Sequence, residues 1–262
     1  MNTEKMTFTI FVPMYNHNSA GNRCLHILSQ LLYKLRHDVY LYNFEQHGSK
    51  VPDNFNGIPI TDGMPKGIPI VPEAFSFSTS NYPHVRWVLN YPGKLFNGPK
   101  IYNENIMATY YLDEFKDATI QATKSGIIHK FCIGNIELIK PIERVDKTLI
   151  LWYRGKYSQQ IDVSKHKYQL ELTRTWPATQ QQYWELLHMT KELYSYDDLT
   201  GTTLEAYKTG VKVYTYHSQV NKWMPLAYHI EHDNVFIDHD RDLNNTRKFV
   251  EQCKQWYNNL PK

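Results

Sequence analysis

Arg154, Gly155 and Lys156 set two cations around a glycine, directly after the apolar run Thr148–Tyr153 (TLILWY). A guanidinium can clamp phosphate oxygens in a fork and an ammonium adds a compact charge. Glycine lets a backbone come close to a ligand. Two ordinary solvated cations would leave the same letters. A second cluster, Thr200, Gly201, Thr202 and Thr203, stands where a short helix should begin. The backbone N–H groups of a helix start, with the helix dipole, favour an anion such as phosphate, and the hydroxyls can add hydrogen bonds. N-capping by Asp198 or Thr200 needs no ligand and is compatible with one. Glu205 lies just inside that helix. A carboxylate there can accept both hydroxyls of a ribose, or simply favour the helix start.

These residues need strands and helices to hold them. Thr7–Pro13 (TFTIFVP) reads as a buried first strand ended by Pro. A polar loop follows, then an amphipathic helix with Leu25, Leu28, Leu31, Leu32 and Leu35 at helical spacing, then the strand HDVYLYNF. Strand, glycine-containing loop, helix and strand make a βαβ unit, which predicts a parallel sheet. The Pro- and Gly-rich segment GIPITDGMPKGIPIVPEA predicts the short strands IPI and IPIV, and HVRWVLNYPG a further strand. YNENIMATYYLDEF reads as a helix or a loop, and IIHKFCIGNIELI as strands.

A second series follows the charged KPIERVDK: the strand TLILWY, the strand YQLELTRTWP, and the helix ATQQQYWELLHMTKEL. That helix would start near Thr179 and carry Tyr183, Leu186, Leu187 and Leu193 on one face. Then come a short strand in YSYDD, the helix GTTLEAYKTG ended by Gly210, the strand VKVYTY, and a last helix in NNTRKFVEQCKQWYNNL. The short strand NVFI precedes Asp238 and Asp240, read as a solvated loop rather than a metal-binding pair. In open α/β sheets ligands sit beyond the carboxyl ends of the strands. Residues 153–156, 173–176 and 195–203 all fall at such ends.

The 262 residues suffice for two small domains, and 42% apolar with 21% charged residues describes a globular chain. A net charge of +3 gives little support to a nucleic-acid partner by itself. Cys24, Cys132 and Cys253 are odd in number and far apart, which fits a reducing compartment and suggests neither a disulfide framework nor a metal motif. With no apolar run of membrane-spanning length and no signal peptide, the expectation is a cytoplasmic protein, peripheral to a membrane where its acceptor is membrane-bound.

The string LYSYDDLTGTTLEAYKTGVKVYTY resembles the donor-binding segment of GT-B glycosyltransferases. In that family a strand end leads to a Thr/Ser/Gly turn, then Glu-Ala, a Gly and a β-branched strand. Glu205, Ala206 and Gly210 match, as do Thr200 to Thr203, and YRGK supplies Arg154 and Lys156 upstream. FVPMYNHNSAGNRCLHILSQLLYKLRHDVYLY is similar to the family's opening strand, loop, helix and strand, with Gly21 as the loop glycine and LRHDV in place of the usual Gly-His. VRWVLNYPG also resembles a strand-end segment of the family's first domain.

The resemblance implies two Rossmann-like α/β domains with mostly parallel sheets facing a central cleft. The first would span 1–143 on the acceptor side and the second 144–240 on the donor side, with a C-terminal helix in 241–262. It implies transfer of a sugar from a nucleotide-sugar to an acceptor hydroxyl, metal-independent and with no cofactor beyond that co-substrate. Arg154, Lys156 and the helix start at Thr202 would stabilise the diphosphate leaving group, and Glu205 would grip the ribose. Asn16, His17, Asn18 and Ser19 would face the cleft. His17 is the first choice of general base for an inverting reaction, ahead of Glu104 and Asp113.

The default acceptor is a surface polysaccharide or lipopolysaccharide. DNA carrying hydroxymethylated cytosine is an alternative acceptor, and a non-enzymatic two-lobed nucleotide- or sugar-binding protein an alternative class. The absence of G-x-G-x-x-G argues against a dinucleotide cofactor. The Asp197-Asp198 pair is left to cap the helix or touch the sugar.

Overall fold

A computed structural model describes residues 4–16, 19–44, 54–61, 63–75, 82–91, 93, 105–110, 115, 129–130, 146–155, 161–167, 169–197, 200–218, 220–226 and 239–260. The chain divides into two compact units. One comprises Met1–Tyr15, Asn22–Asn135 and Ile237–Lys262, and the other Asn16–Gly21 and Ile136–Phe236. The domain boundary was expected near 140–148, of which 140–145 lie outside the described residues.

In the first unit the chain runs through β1 (Thr7–Val12), α1 (Ala20–Lys34), β2 (Asp38–Asn43), β3 (Asn54–Phe55), β4 (Ile58–Thr61), β5 (Ile68–Pro72), β6 (His84–Val88), β7 (Ile106–Tyr110) and β8 (His129–Lys130). These strands form an eight-stranded sheet in the order β3-β4-β2-β1-β5-β6-β7-β8. Every neighbouring pair is parallel except β3 with β4. The βαβ pattern of the sequence accounts for this: β1, β5, β6 and β7 are buried along almost their whole length, as strands covered on both faces must be.

Within the stretch expected to be a helix or a loop, Ile106–Tyr110 form β7. Its residues IMATY are all buried and pair with β6 from His84↔Ile106 to Val88↔Tyr110. A fully buried parallel strand shows no alternation, and a polar YNEN before it hides its start. Between β4 and β5, Gly67 has φ +67°, and a Cβ there would stand 2.1 Å from the carbonyl oxygen of Thr7. Thr9 Oγ1 meanwhile donates to Lys66 O at 2.8 Å and accepts from Lys66 N at 2.9 Å, tying this turn to β1.

The second unit contains β9 (Leu149–Tyr153), a 3-10 helix (Val163–His166), β10 (Leu170–Leu172), α2 (Gln180–Met189), β11 (Thr190–Ser195), α3 (Gly201–Lys208), β12 (Lys212–His217) and β13 (Lys222–Pro225). The sheet order is β10-β9-β11-β12-β13, parallel except for the hairpin β12–β13. A last helix, α4 (His239–Asn258), belongs to the first unit.

Both units are thus α/β with mostly parallel sheets, compatible with a Rossmann-like fold. Thr179 caps α2 through a capping box with Gln182. The helix stops earlier than its sequence suggests. Thr190 is already extended, and Leu193 lies not on the helix but in β11, opposite Leu151 and Val213. Asp240, expected in a solvated loop, stands in the first turn of α4, as does Asp242, which is buried beside Arg241. Asp238 lies outside the described residues. No described helix is long and apolar enough to cross a membrane.

A buried pair marks the first unit. His84 Nε2 accepts from Arg86 Nε at 3.0 Å, and His84 Nδ1–H donates to the Tyr82 carbonyl at 2.7 Å. Burial, helped by the Arg86 charge, pushes the His84 pKa from 6.5 down to about 4. The unfolded chain therefore takes this proton first. The stabilisation from a neutral His84 is whole above about pH 6.5 and is lost as pH falls toward 4, about 3 kcal/mol in all. The measurement is an NMR titration of the His84 ring, which should stay neutral from pH 7 to below 5. A midpoint near 6.5 would contradict the buried neutral pair.

Candidate functional site

The second sheet reverses its winding between β9 and β11. From β9 the chain passes to β10 on one side, and then to β11 on the other. In open α/β sheets this switch point leaves a crevice at the carboxyl ends of the two strands. Here those ends are Tyr153-Arg154-Gly155 and Ser195-Tyr196-Asp197, and α3 begins just after the second.

Gly155 has φ +75°, and a Cβ there would lie 2.2 Å from Asp197 Cβ and 3.0 Å from Asp197 Oδ2. No other residue fits that place, because both the backbone angle and the space forbid a side chain. The sequence suggested a ligand beside this glycine; the structure puts the Asp197 side chain there. Asp197 is fully buried. Ser195 holds its backbone by donating Oγ–H to Asp197 O at 2.7 Å and accepting from Asp197 N at 3.2 Å. Tyr196 N–H extends the ladder to Tyr153 O at 2.9 Å.

The cap of α3 is Thr200. Its extended backbone (φ −133°, ψ 147°) lets Oγ1 accept from Thr202 N at 3.4 Å. Thr203 Oγ1 donates back to Thr200 O at 2.8 Å and is buried, while Gly201 and Thr202 are half-buried. The Tyr153 phenol meets this turn. Burial, and next the Asp197 charge, raise its pKa; Arg174 and hydrogen bonds from the Thr200 and Thr202 side chains oppose them. Polar links thus join Tyr153 to the first turn of α3, and Asp197 to Ser195, at these strand ends.

Glu205 is placed differently from its neighbours. It is 1% exposed, and its Oε2 accepts the Tyr183 hydroxyl of α2 at 2.7 Å. Tyr183 itself belongs to the core, with Leu186, Leu187, Ala206, Leu151, Leu193 and Val213. Glu205 thus links α2 to α3. Arg154 is the exposed member, with 47% of its side chain open. Its Nε stands 3.4 Å from Glu171 Oε1 and its guanidinium 5.6 Å from the Trp152 ring. An exposed pair of this kind is worth ~0–1 kcal/mol, so an anion can take the guanidinium at little cost.

Lys156, Asp198, His17, Asn18, Glu104 and Asp113 lie outside the described residues. Of the N-terminal loop, Asn16 and Ser19 close a turn through Ser19 N–H to Asn16 O at 3.1 Å, and Gly21 stands in the first turn of α1.

The sheet face opposite the core carries rings that the sequence reading did not single out. Trp152 lies parallel to His166 (4.5 Å, 6°), and Tyr194 stacks on Tyr214 (5.0 Å, 14°). Tyr196, Tyr216 and Trp223 meet one another at 4.9–5.3 Å between centroids. His166 Nδ1 contacts Gln169 Oε1 at 2.6 Å, which can only accept; this leaves Nε2 to accept the Tyr196 hydroxyl at 2.9 Å. Burial, then a hydrogen bond to Glu192, push the Tyr194 pKa up to about 12. The signal was available as Tyr at alternate positions in YSY and YTY.

No family model matches the chain, and no curated protein matches it.

Tyr183→Phe tests the Glu205 anchor. It leaves a buried carboxylate without that donor and should lower stability by about 1–3 kcal/mol, read as a fall in Tm. An unchanged Tm would show that the Tyr183 hydroxyl contributes nothing to holding Glu205.

Proposed function

We propose that the chain is a glycosyltransferase of GT-B architecture. In this reading its two units are Rossmann-like domains, and it moves a sugar from a nucleotide-sugar to an acceptor hydroxyl, on a surface polysaccharide or lipopolysaccharide. The observation that supports a donor site is the switch point of the second sheet. It gathers Arg154, Gly155, Asp197 and the start of α3 at the carboxyl ends of β9 and β11, where α/β sheets bind ligands.

Each residue then has a task. Arg154, loosely held by Glu171, swings to the diphosphate and stabilises the negative charge that grows on the leaving group. The first turn of α3 adds its dipole from the other side. Asp197, packed on Gly155, fixes the spacing of the two strand ends. A ribose-gripping role for Glu205 requires its carboxylate to exchange the Tyr183 hydroxyl for ribose hydroxyls. Activation of the acceptor falls to His17 in this proposal, with its neutral ring as base.

A thermal-shift series with uridine, guanosine, cytidine and thymidine diphosphates tests the donor site. One of them at 100 times its Kd should stabilise the protein by about 2.7 kcal/mol, and Arg154→Ala should remove most of that shift. If none of the four moves the melting temperature, the donor-site proposal fails. Release of nucleoside diphosphate from the matching nucleotide-sugar in the presence of a glycan acceptor separates a transferase from a protein that only binds.

A further inference from the structure

The face of the second sheet that carries Trp152, Tyr194, Tyr196, Tyr214, Tyr216 and Trp223 has no part in the proposed transfer. Strand alternation puts it opposite the core: Leu151, Leu193 and Val213 point to α2 and α3, and Trp152, Tyr194 and Tyr214 point away. Trp152 is buried under His166, while Tyr194, Tyr196, Tyr214, Tyr216 and Trp223 are half-buried. Half-buried rings at this density leave aromatic surface for a partner of matching chemistry.

Two observations say which partner. First, the ring tips are engaged within the protein. Tyr194 donates to Glu192 at 3.0 Å, the Tyr196 hydroxyl meets His166, and Tyr216 donates to Asn221. A sugar needs such tips for its hydroxyls; a flat heteroaromatic ring needs only π surface. Second, the wall is continuous with the crevice. Tyr196 stands between Ser195 and Asp197, Trp152 precedes Tyr153, and Arg154 lies over the Trp152 ring. Tyr196 also meets the Trp152 ring edge-on at 6.4 Å between centroids, so the rings of Tyr196, Tyr216 and Trp223 follow directly on the ring that Arg154 covers.

We infer that Tyr196, Tyr216 and Trp223 form a stacking wall for the nucleobase of the nucleotide bound at the β9–β11 crevice. The inference rests on the donor-site reading and adds the location of the base.

Calorimetric titration of the full chain tests this, with the four nucleoside diphosphates and inorganic pyrophosphate as probes. Trp223→Leu and Tyr196→Leu should each weaken the best-bound nucleoside diphosphate about tenfold. Both should leave pyrophosphate binding as in the unsubstituted chain, and Tyr196→Phe, which keeps the ring, should bind the nucleotide normally. Nucleotide affinity unchanged in both leucine variants overturns the wall and leaves the donor site standing. An equal loss in Tyr196→Phe overturns it too, since the hydroxyl would then be what matters. Tryptophan fluorescence answering maltotriose but no nucleotide would assign the face to a glycan and sink the inference. No binding of any nucleotide or of pyrophosphate to the unsubstituted chain removes the donor site itself.

Discussion

Asp197 buried against the bare backbone of Gly155 is the contact on which the second unit turns. β9 and β11 are neighbours in the sheet, but their exits must diverge, one toward β10 and one into α3. A side chain at 155 would collide with Asp197 at 2.2 Å. With glycine there, the Asp197 side chain packs against the bare backbone. Ser195 then locks the turn, Tyr153 reaches the hydroxyls of Thr200 and Thr202, and Thr200 starts α3. The Ser195 links to Asp197 are buried, where an unmade hydrogen bond is costly.

The same sheet shows two faces with different chemistry. One packs Leu151, Leu193 and Val213 against α2 and α3. The other is a lattice of rings in which the hydroxyls of Tyr194, Tyr196 and Tyr216 bond to neighbouring side chains. The crevice lies at the carboxyl edge that the two faces share. A helix start on one side of that edge, and an exposed arginine over the ring wall on the other, suit a ligand that is part anion and part flat ring. The proposed function and the base-stacking inference both draw on that arrangement.

Much of the fold was legible because its signals are local. β1, α1, β2, β9 and α3 each carry their own period, cap or breaker, and Thr200 and Gly210 bracket α3 as the sequence indicates. β7 was not legible, since a strand buried on both faces has no alternation. Nor was the end of α2, because Lys191, Glu192 and Leu193 are good helix formers that pairing with β9 draws into a strand. β13 is four residues with a terminal Pro, formed by its hairpin with β12. In the site, Arg154, Gly155 and the threonines stood out by type and spacing. The burial of Asp197 depends on Gly155, distant in sequence, and Glu205 is turned inward by Tyr183, 22 residues away. Neither contact leaves a local trace.

The central claim is that the β9–β11 switch point holds the phosphates of a nucleotide. Hydrogen–deuterium exchange of the full chain, with and without a saturating nucleoside diphosphate, addresses it most directly. The account predicts slowed exchange in peptides covering residues 153–155 and 195–205, with β1, β5 and β6 unchanged. Slowed exchange confined to the first unit, with 195–205 unaffected, would contradict it.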